Sequence, residues 1–111
     1  MSLQLFQEII ATYRRHGWQL RRVLLRAETR VALESFTEEL FGDAIVSEAE
    51  FDALWFVRPS HAGREAWELR LVAEQPYALF ETFEPDEGGE LREDARKEME
   101  ARMRAYLAAR A

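Results

Sequence analysis

The residues best equipped for chemistry lie close together at positions 58–65, in a segment rich in turn-forming residues. Two arginines, Arg58 and Arg64, flank His61 there. Arginine forks bind phosphate and carboxylate groups, and histidine titrates near neutral pH. The spacing predicts a site for a small anionic ligand at a hairpin tip, with Arg58, His61 and Arg64 as its binding residues. A solvated hairpin, in which the arginines serve solubility, is the alternative.

The same segment does not supply a nucleophile. Ser60 and His61 are adjacent in the chain, which does not give the hydrogen-bonded geometry of a nucleophile and its base. No GxSxG motif is present, and Gly88 and Gly89 belong to no phosphate-binding or dinucleotide-binding motif. We therefore assign no catalytic residue, and the sequence favours a protein without enzymatic activity.

Metal and cofactor sites are also poorly supplied. The chain has no cysteine and two histidines, which excludes cysteine-based zinc or iron–sulfur sites. An acidic stretch at 84–94 lacks the alternating ligands of a calcium loop. Acids at this place suit the positive end of a helix dipole. The sequence predicts no metal and no cofactor.

The composition predicts one globular domain over residues 1–111. Hydrophobic residues make up 48% of the chain and charged residues 32%, an ordinary globular balance. No apolar run approaches the roughly 20 residues that span a bilayer, and the N-terminus lacks the pattern of a signal peptide. These features predict a cytoplasmic protein that does not bind membranes. The preference for arginine over lysine is typical of a GC-rich bacterial genome.

The charge distribution argues against nucleic acid as a partner. The formal net charge is −6, whereas non-specific binding to nucleic acid needs a basic surface. Residues 1–33 contain six arginines and two glutamates, so this part of the chain carries a charge of +4 and the remainder −10. We expect Arg22 and Arg26, or else Arg21, to lie near Glu48, Glu50 and Asp52 across the sheet. Such pairing would stabilise the fold rather than bind a partner.

Both ends of the chain show helical periodicity. Apolar residues at three- and four-residue steps predict a helix over 3–16, with Ser2 as a cap and Gly17 as a stop. A similar stripe predicts a helix over 90–110. Between them, a short helical turn is expected at 36–41 and can begin near Val31.

Alternating polarity predicts strands between these helices. The pattern is clearest over 51–57 and 67–73, and strands are also expected at 18–27 and 77–83. Pairing of like faces should put Trp55 and Val57 on one side with Trp67 and Leu69. Residues 44–50 fit a strand or the start of a helix. The predicted fold is α+β, with a meander of about four antiparallel strands between terminal helices.

The other side of these strands is partly apolar. Leu54, Phe56 and Val72 share it with Arg70 and Glu68. If both helices cover one side, this strip is exposed and marks a contact site. If the C-terminal helix crosses to this side, the strip is buried.

We therefore expect a protein-interaction module that binds either a protein partner or a second copy of itself, as a homodimer, through Leu54, Phe56, Arg70 and Val72. The alternative is a small anionic-ligand-binding protein or enzyme with a cleft near 58–65.

Overall fold

The computed structural model describes residues 3–110, which fold into four α-helices and five β-strands. Ser2, the expected helix cap, lies outside this range. The helices are α1 (Leu3–Arg15), α2 (Ala27–Ala32), α3 (Thr37–Phe41) and α4 (Gly89–Arg110). The strands are β1 (Gln19–Leu25), β2 (Ile45–Glu48), β3 (Ala53–Pro59), β4 (Glu65–Leu71) and β5 (Ala78–Phe83). Short 3₁₀ turns occupy Glu34–Phe36 and His61–Gly63.

The strands form one sheet in the order β2-β1-β3-β4-β5, with β2 parallel to β1 and every other pair antiparallel. The α+β class is confirmed, and so is the meander from β3 to β5. The sheet has one strand more than expected, because residues 45–48 of the ambiguous segment pair with β1. This strand is parallel because α2 and α3 carry the chain back to the end of the sheet where β1 begins.

The register agrees with the predicted sharing of faces. Trp55 lies opposite Leu69, and Val57 lies opposite Trp67. Because directly opposed residues in antiparallel strands project to the same side, these four residues share one side of the sheet. Alternation of apolar side chains was therefore sufficient to define which residues of β3 and β4 point together.

The two terminal helices cover opposite sides of the sheet. On the first side, called the α1 side, α1 and α3 pack with Val23, Leu54 and Phe56, and α2 lies against β1. On the second side, called the α4 side, Met99 and Met103 of α4 pack against β3, β4 and β5. The domain is thus three layers deep, with the sheet in the middle.

This arrangement corrects the expectation of an exposed apolar strip. Leu54 and Phe56 are 0% exposed, and the ring of Tyr13 stacks on Phe56 with centroids 4.0 Å apart. Arg70 and Val72 are half-buried at the same side. The strip is therefore not exposed, and α1, not the C-terminal helix, covers it. A single tight turn after α1, with Gly17 at φ 85°, returns the chain into β1 beside β3, which leaves α1 directly above Phe56.

One buried carboxylate fixes the junction between β1, α2 and β3. Asp52 accepts a hydrogen bond from the backbone N–H of Arg26 at 2.8 Å and another from the Thr29 hydroxyl at 2.8 Å. The Arg26 guanidinium lies 3.5 Å from the same carboxylate. The expected pairing of Arg26 with the acids of 48–52 is thereby confirmed. The contact orients α2 against the start of β3.

Candidate functional site

The structure turns two of the three predicted ligand-binding residues of the 58–65 hairpin, Arg58 and Arg64, toward different partners. Arg58 donates a hydrogen bond from Nη1 to the carbonyl oxygen of His16 at 2.9 Å and lies 4.6 Å from the ring centroid of Trp18. Arg64 donates from Nε to the Glu84 carboxylate at 2.7 Å. His61 is exposed in the 3₁₀ turn between them. The two arginines are thus engaged within the chain, and a ligand-binding role for the three residues stays a prediction.

The Arg64–Glu84 pair is a surface contact. The hydrogen bond from Arg64 lowers the pKa of Glu84 and raises the pKa of Arg64. Both side chains are nearly half exposed, at 45%. Exposed pairs of this kind contribute little to stability because water screens them. The pair fastens the hairpin to the segment that follows β5.

A concave site lies on the α4 side of the sheet, toward the end of the sheet formed by β1 and β2, which α4 covers less completely. This groove between α4 and β1 encloses about 230 Å³. Its lining combines four apolar and aromatic residues of the sheet with four charged residues at the rim: Ile45, Trp55, Val57, Trp67, Arg21, Arg22, Glu93 and Arg96. The residues come from β1, β2, β3, β4 and α4, so the fold is needed to assemble them.

The apolar residues form the floor of the groove. Trp55 is 3% and Val57 is 5% exposed, whereas Ile45 is 53% exposed. Ile45 is more open because it lies on the edge strand β2, whereas the buried residues of α4 pack on the inner strands. The floor therefore changes from sealed to accessible along the direction from β3 to β2.

Hydrogen bonds from the two indole groups fix the wall between the sheet and α4. Trp55 donates from Nε1 to Glu100 at 2.9 Å, and Trp67 donates from Nε1 to Glu65 at 2.7 Å. Glu65 in turn accepts from Arg92 of α4 at 2.7 Å. Buried indoles need such acceptors, and here the acceptors also bind α4 to the sheet. The groove consequently has a rigid wall on its α4 side.

The charges on that wall are paired with one another. Arg96 forms ion pairs with Glu93 and, at 2.7 Å, with Glu100. The hydrogen bond from Arg96 is the main cause that lowers the pKa of Glu93, and Arg22 adds a weaker electrostatic attraction. Glu93 therefore carries its negative charge well below neutral pH. Arg96, Glu93 and Glu100 together give the wall formed by α4 a net charge of about −1.

The opposite rim carries two arginines that lack such partners. Among the described residues, neither Arg21 nor Arg22 forms a hydrogen bond or ion pair through its guanidinium. Their positions follow from a β-bulge, since the register between β1 and β3 shifts between Leu20 and Arg22. Strict alternation would send neighbouring side chains to opposite sides, but the bulge lets both arginines border the groove.

Sequence reasoning missed this groove. It predicted that Arg21 and Arg22 could lie near acids across the sheet. Of the three arginines considered, Arg26 is the one that forms such an ion pair, with Asp52. A signal was present, since two adjacent charged residues interrupt the alternation of a strand. Such an interruption is typical of a bulge, but nothing in a single sequence indicates which side α4 covers.

A second feature is the free edge of β2. Ala49 donates its N–H to the carbonyl of Leu25 at 2.8 Å, and Glu48 pairs with Leu25 in the parallel register. Backbone groups of successive residues in a strand point to alternate neighbours. The groups of Ile45 and Ser47 therefore face β1, and those of Val46 and Glu48 face away from the sheet.

The fold and these two features define the class of the protein as a small α+β domain whose five-stranded sheet lies between helices. Comparisons with models of protein families, with curated proteins and with solved structures find no match for this chain. In residues 3–110, no group of three or more histidine and acidic side chains is placed to hold a metal ion. No helix of that range is both long and apolar enough to cross a bilayer.

Proposed function

We propose that the chain is a non-enzymatic protein-interaction module that forms a homodimer by pairing the β2 strands of two copies. The observation that carries the proposal is the edge of β2, where an exposed apolar side chain accompanies backbone groups that point away from the rest of the sheet and pair with no other strand in residues 3–110. We call this surface the β2 edge and define it by Arg30, Val31, Val46 and Glu48.

Apolar exposure supports a contact at the β2 edge. Val31 of α2 is 73% exposed and lines a shallow depression together with half-buried Val46 and with Arg30. Free edge strands are commonly protected by proline, lysine or inward charges. β2 contains none of the first two, and its one charged residue, Glu48, lies at its end. The edge is thus suited to receive another strand.

The outward backbone groups favour one antiparallel register. If Ser47 lies on the twofold axis, Val46 of each copy faces Glu48 of the other. Each such pair exchanges two hydrogen bonds, so the dimer gains four without disturbing the pairing between β1 and β2. An isologous interface requires this reciprocity.

This register also brings one carboxylate of each copy toward an arginine of the other. Val46 and Glu48 project to the α1 side, because the register places them beside Val23 and Leu25. Glu48 of one copy would therefore reach the depression of the other, which is lined by Arg30 and also by Glu34. Arg30 forms no ion pair with a described residue, so it is available for this contact. The contact occurs twice by symmetry.

The test is the molar mass in solution as a function of concentration, measured by light scattering. An interface of one short strand pair is small, and we expect a dissociation constant on the order of 10 µM. Glu48→Pro should give a monomer, because proline removes an outward N–H. Glu48→Gln retains that N–H and should weaken the dimer by only about tenfold or less.

Two further variants form a matched control. Val31→Glu should abolish dimerisation, whereas Phe80→Glu should not, although Phe80 on the β5 edge is also 55% exposed. The exchanged pair Arg30→Glu with Glu48→Arg should dimerise more strongly than either single variant. A chain that stays monomeric at 1 mM (about one hundred times the expected constant), or a dimer lost in Phe80→Glu and retained in Val31→Glu, would contradict the proposal.

A further inference from the structure

We propose that the groove between α4 and β1 binds a small carboxylate with an apolar body, held by Arg21 and Arg22. This site differs in side and in residues from the β2 edge, and it also differs from the hairpin at 58–65. It gives the chain a ligand-binding function beyond association with a second copy.

The first argument is the uncompensated charge at the rim. Arg96 is neutralised by Glu93 and Glu100 on its own helix. Because Arg96 stands against both Glu93 and Glu100, the addition of Arg21 and Arg22 leaves a local charge near +1, in a chain whose net charge is −6. In an acidic protein, two adjacent arginines at a concave surface attract an anion, and their planar forks match the geometry of a carboxylate.

The second argument is the backbone that places them. The β-bulge between Leu20 and Arg22 makes the two side chains border one groove. Bulges that redirect a side chain occur frequently beside functional sites. Arg22 is half-buried, so less conformational entropy is lost when it binds a ligand than for a freely exposed arginine.

The third argument is the size and polarity of the groove. Its volume of about 230 Å³ is below the roughly 300–1,000 Å³ that drug-sized ligands occupy. A ligand on the order of ten non-hydrogen atoms fits this space, and a nucleotide does not. The floor of Ile45, Val57 and Trp67 is apolar. A short aryl or alkyl acid therefore satisfies both the floor and the rim.

The experiment is a titration with 3-phenylpropionate, followed by the backbone and indole signals in ¹H–¹⁵N NMR spectra. The signals of Trp67, Ile45 and Arg22 should shift together and saturate. The neutral amide of the same acid should bind at least about tenfold more weakly, because it loses the charge-assisted hydrogen bonds.

Variants separate a built site from simple attraction of charge. The double variant Arg21→Gln with Arg22→Gln should weaken binding by about tenfold or more, since both forks are lost. The matched control is Arg15→Gln with Arg102→Gln, two exposed arginines that do not line the groove, which changes the net charge equally and should leave binding unchanged. Replacing Arg21 and Arg22 by lysine should give an intermediate loss, because lysine keeps the charge without the fork.

The outcome is independent of dimerisation when the titration is repeated on the Glu48→Pro variant. The site lies within one chain, so binding should persist there. Three results would overturn the inference: no shift up to about 10 mM acid, well above the constant expected for so small a ligand; equal binding of acid and amide; or equal loss in the two glutamine pairs. Loss of dimerisation alone would instead bear on the β2 edge.

Discussion

The two sides of the sheet differ in how completely helices cover them. On the α1 side, three helices pack on the sheet, and the central residue Phe56 is 0% exposed. On the α4 side, a single helix covers β3 to β5 and leaves Ile45 on β2 53% exposed. Both sides present apolar residues, so hydrophobicity alone does not distinguish them. The two sides differ instead in the number of helices that pack on them.

The difference separates residues that stabilise the fold from residues that are available to bind. The short helices α2 and α3 lie on the α1 side because they belong to the crossover that connects β1 to β2. The α4 side has one helix, whose buried residues Met99 and Met103 pack mainly on β3–β5, while its side chains border open grooves beside β2. One helix has a diameter of about 10–12 Å, whereas neighbouring strands lie about 4.8 Å apart. A sheet of five strands is therefore wider than one helix.

The largest expected effect comes from truncating the covered side. Phe56→Ala should lower the free energy of unfolding by about 3–5 kcal/mol, because it removes a buried ring and leaves a cavity beneath Tyr13. Urea unfolding followed by circular dichroism measures the change. Since domains of this size have a stability of about 5–15 kcal/mol, this is a large fraction of the total.

The matched substitution on the open side is Ile45→Ala. Because Ile45 is half exposed, we expect a loss of about 1 kcal/mol or less. Similar losses for the two variants would show that the sides are equally packed and would remove the basis of the comparison.

An intermediate effect is expected at the junction that holds α2 on the α1 side. Asp52→Ala removes the acceptor of two hydrogen bonds, from the Arg26 N–H and the Thr29 hydroxyl. The buried Thr29 then lacks its partner, which should lower the free energy of unfolding by about 2–3 kcal/mol.

Asp43→Ala is a suitable control for this variant, since Asp43 is exposed. It should change the stability by less than about 0.5 kcal/mol. If the two aspartate variants lost equal stability, the buried junction would have no special role.

Sequence reasoning recovered the local elements because their signals are local. Alternation in β3 and β4 identified which residues share a side, and the stripe of α1 identified its apolar face. The position of α1 above Phe56 depends on contacts between residues far apart in the chain, such as Tyr13 with Phe56. No periodicity contains that information, so the strip at Leu54 and Phe56 was wrongly expected to be exposed.

The same reason explains the groove and the β2 edge. Residues 45–48 form a strand only because β1 offers an edge to them, and their own sequence also fitted the start of a helix. Arg21 and Arg22 border a groove because a bulge and the limited width of α4 combine. Each cause is readable by itself, but their combination requires the packed structure.

A small effect is also expected at the polar contact that closes the α1 side. The Tyr13 hydroxyl donates a hydrogen bond to Glu68 on β4. Burial, followed by this hydrogen bond and by the negative charge of Glu68, raises the pKa of Tyr13 above its ordinary value of 10.0. Tyr13→Phe should therefore cost about 1 kcal/mol at neutral pH.

The pH dependence distinguishes this contact from ordinary packing. Because the folded state holds the Tyr13 proton more tightly than the unfolded state, the contribution is fully present below pH 10 and declines as the pH rises toward the raised pKa. Above about pH 10, the melting temperature of the native chain should fall more steeply than that of Tyr13→Phe, so that the two curves converge. Thermal unfolding at several pH values between 7 and about 11 measures this. Parallel curves would mean that Tyr13 ionises equally in the folded and unfolded states. The contact of Tyr13 with Phe56 would then stabilise the fold through the stacked ring alone.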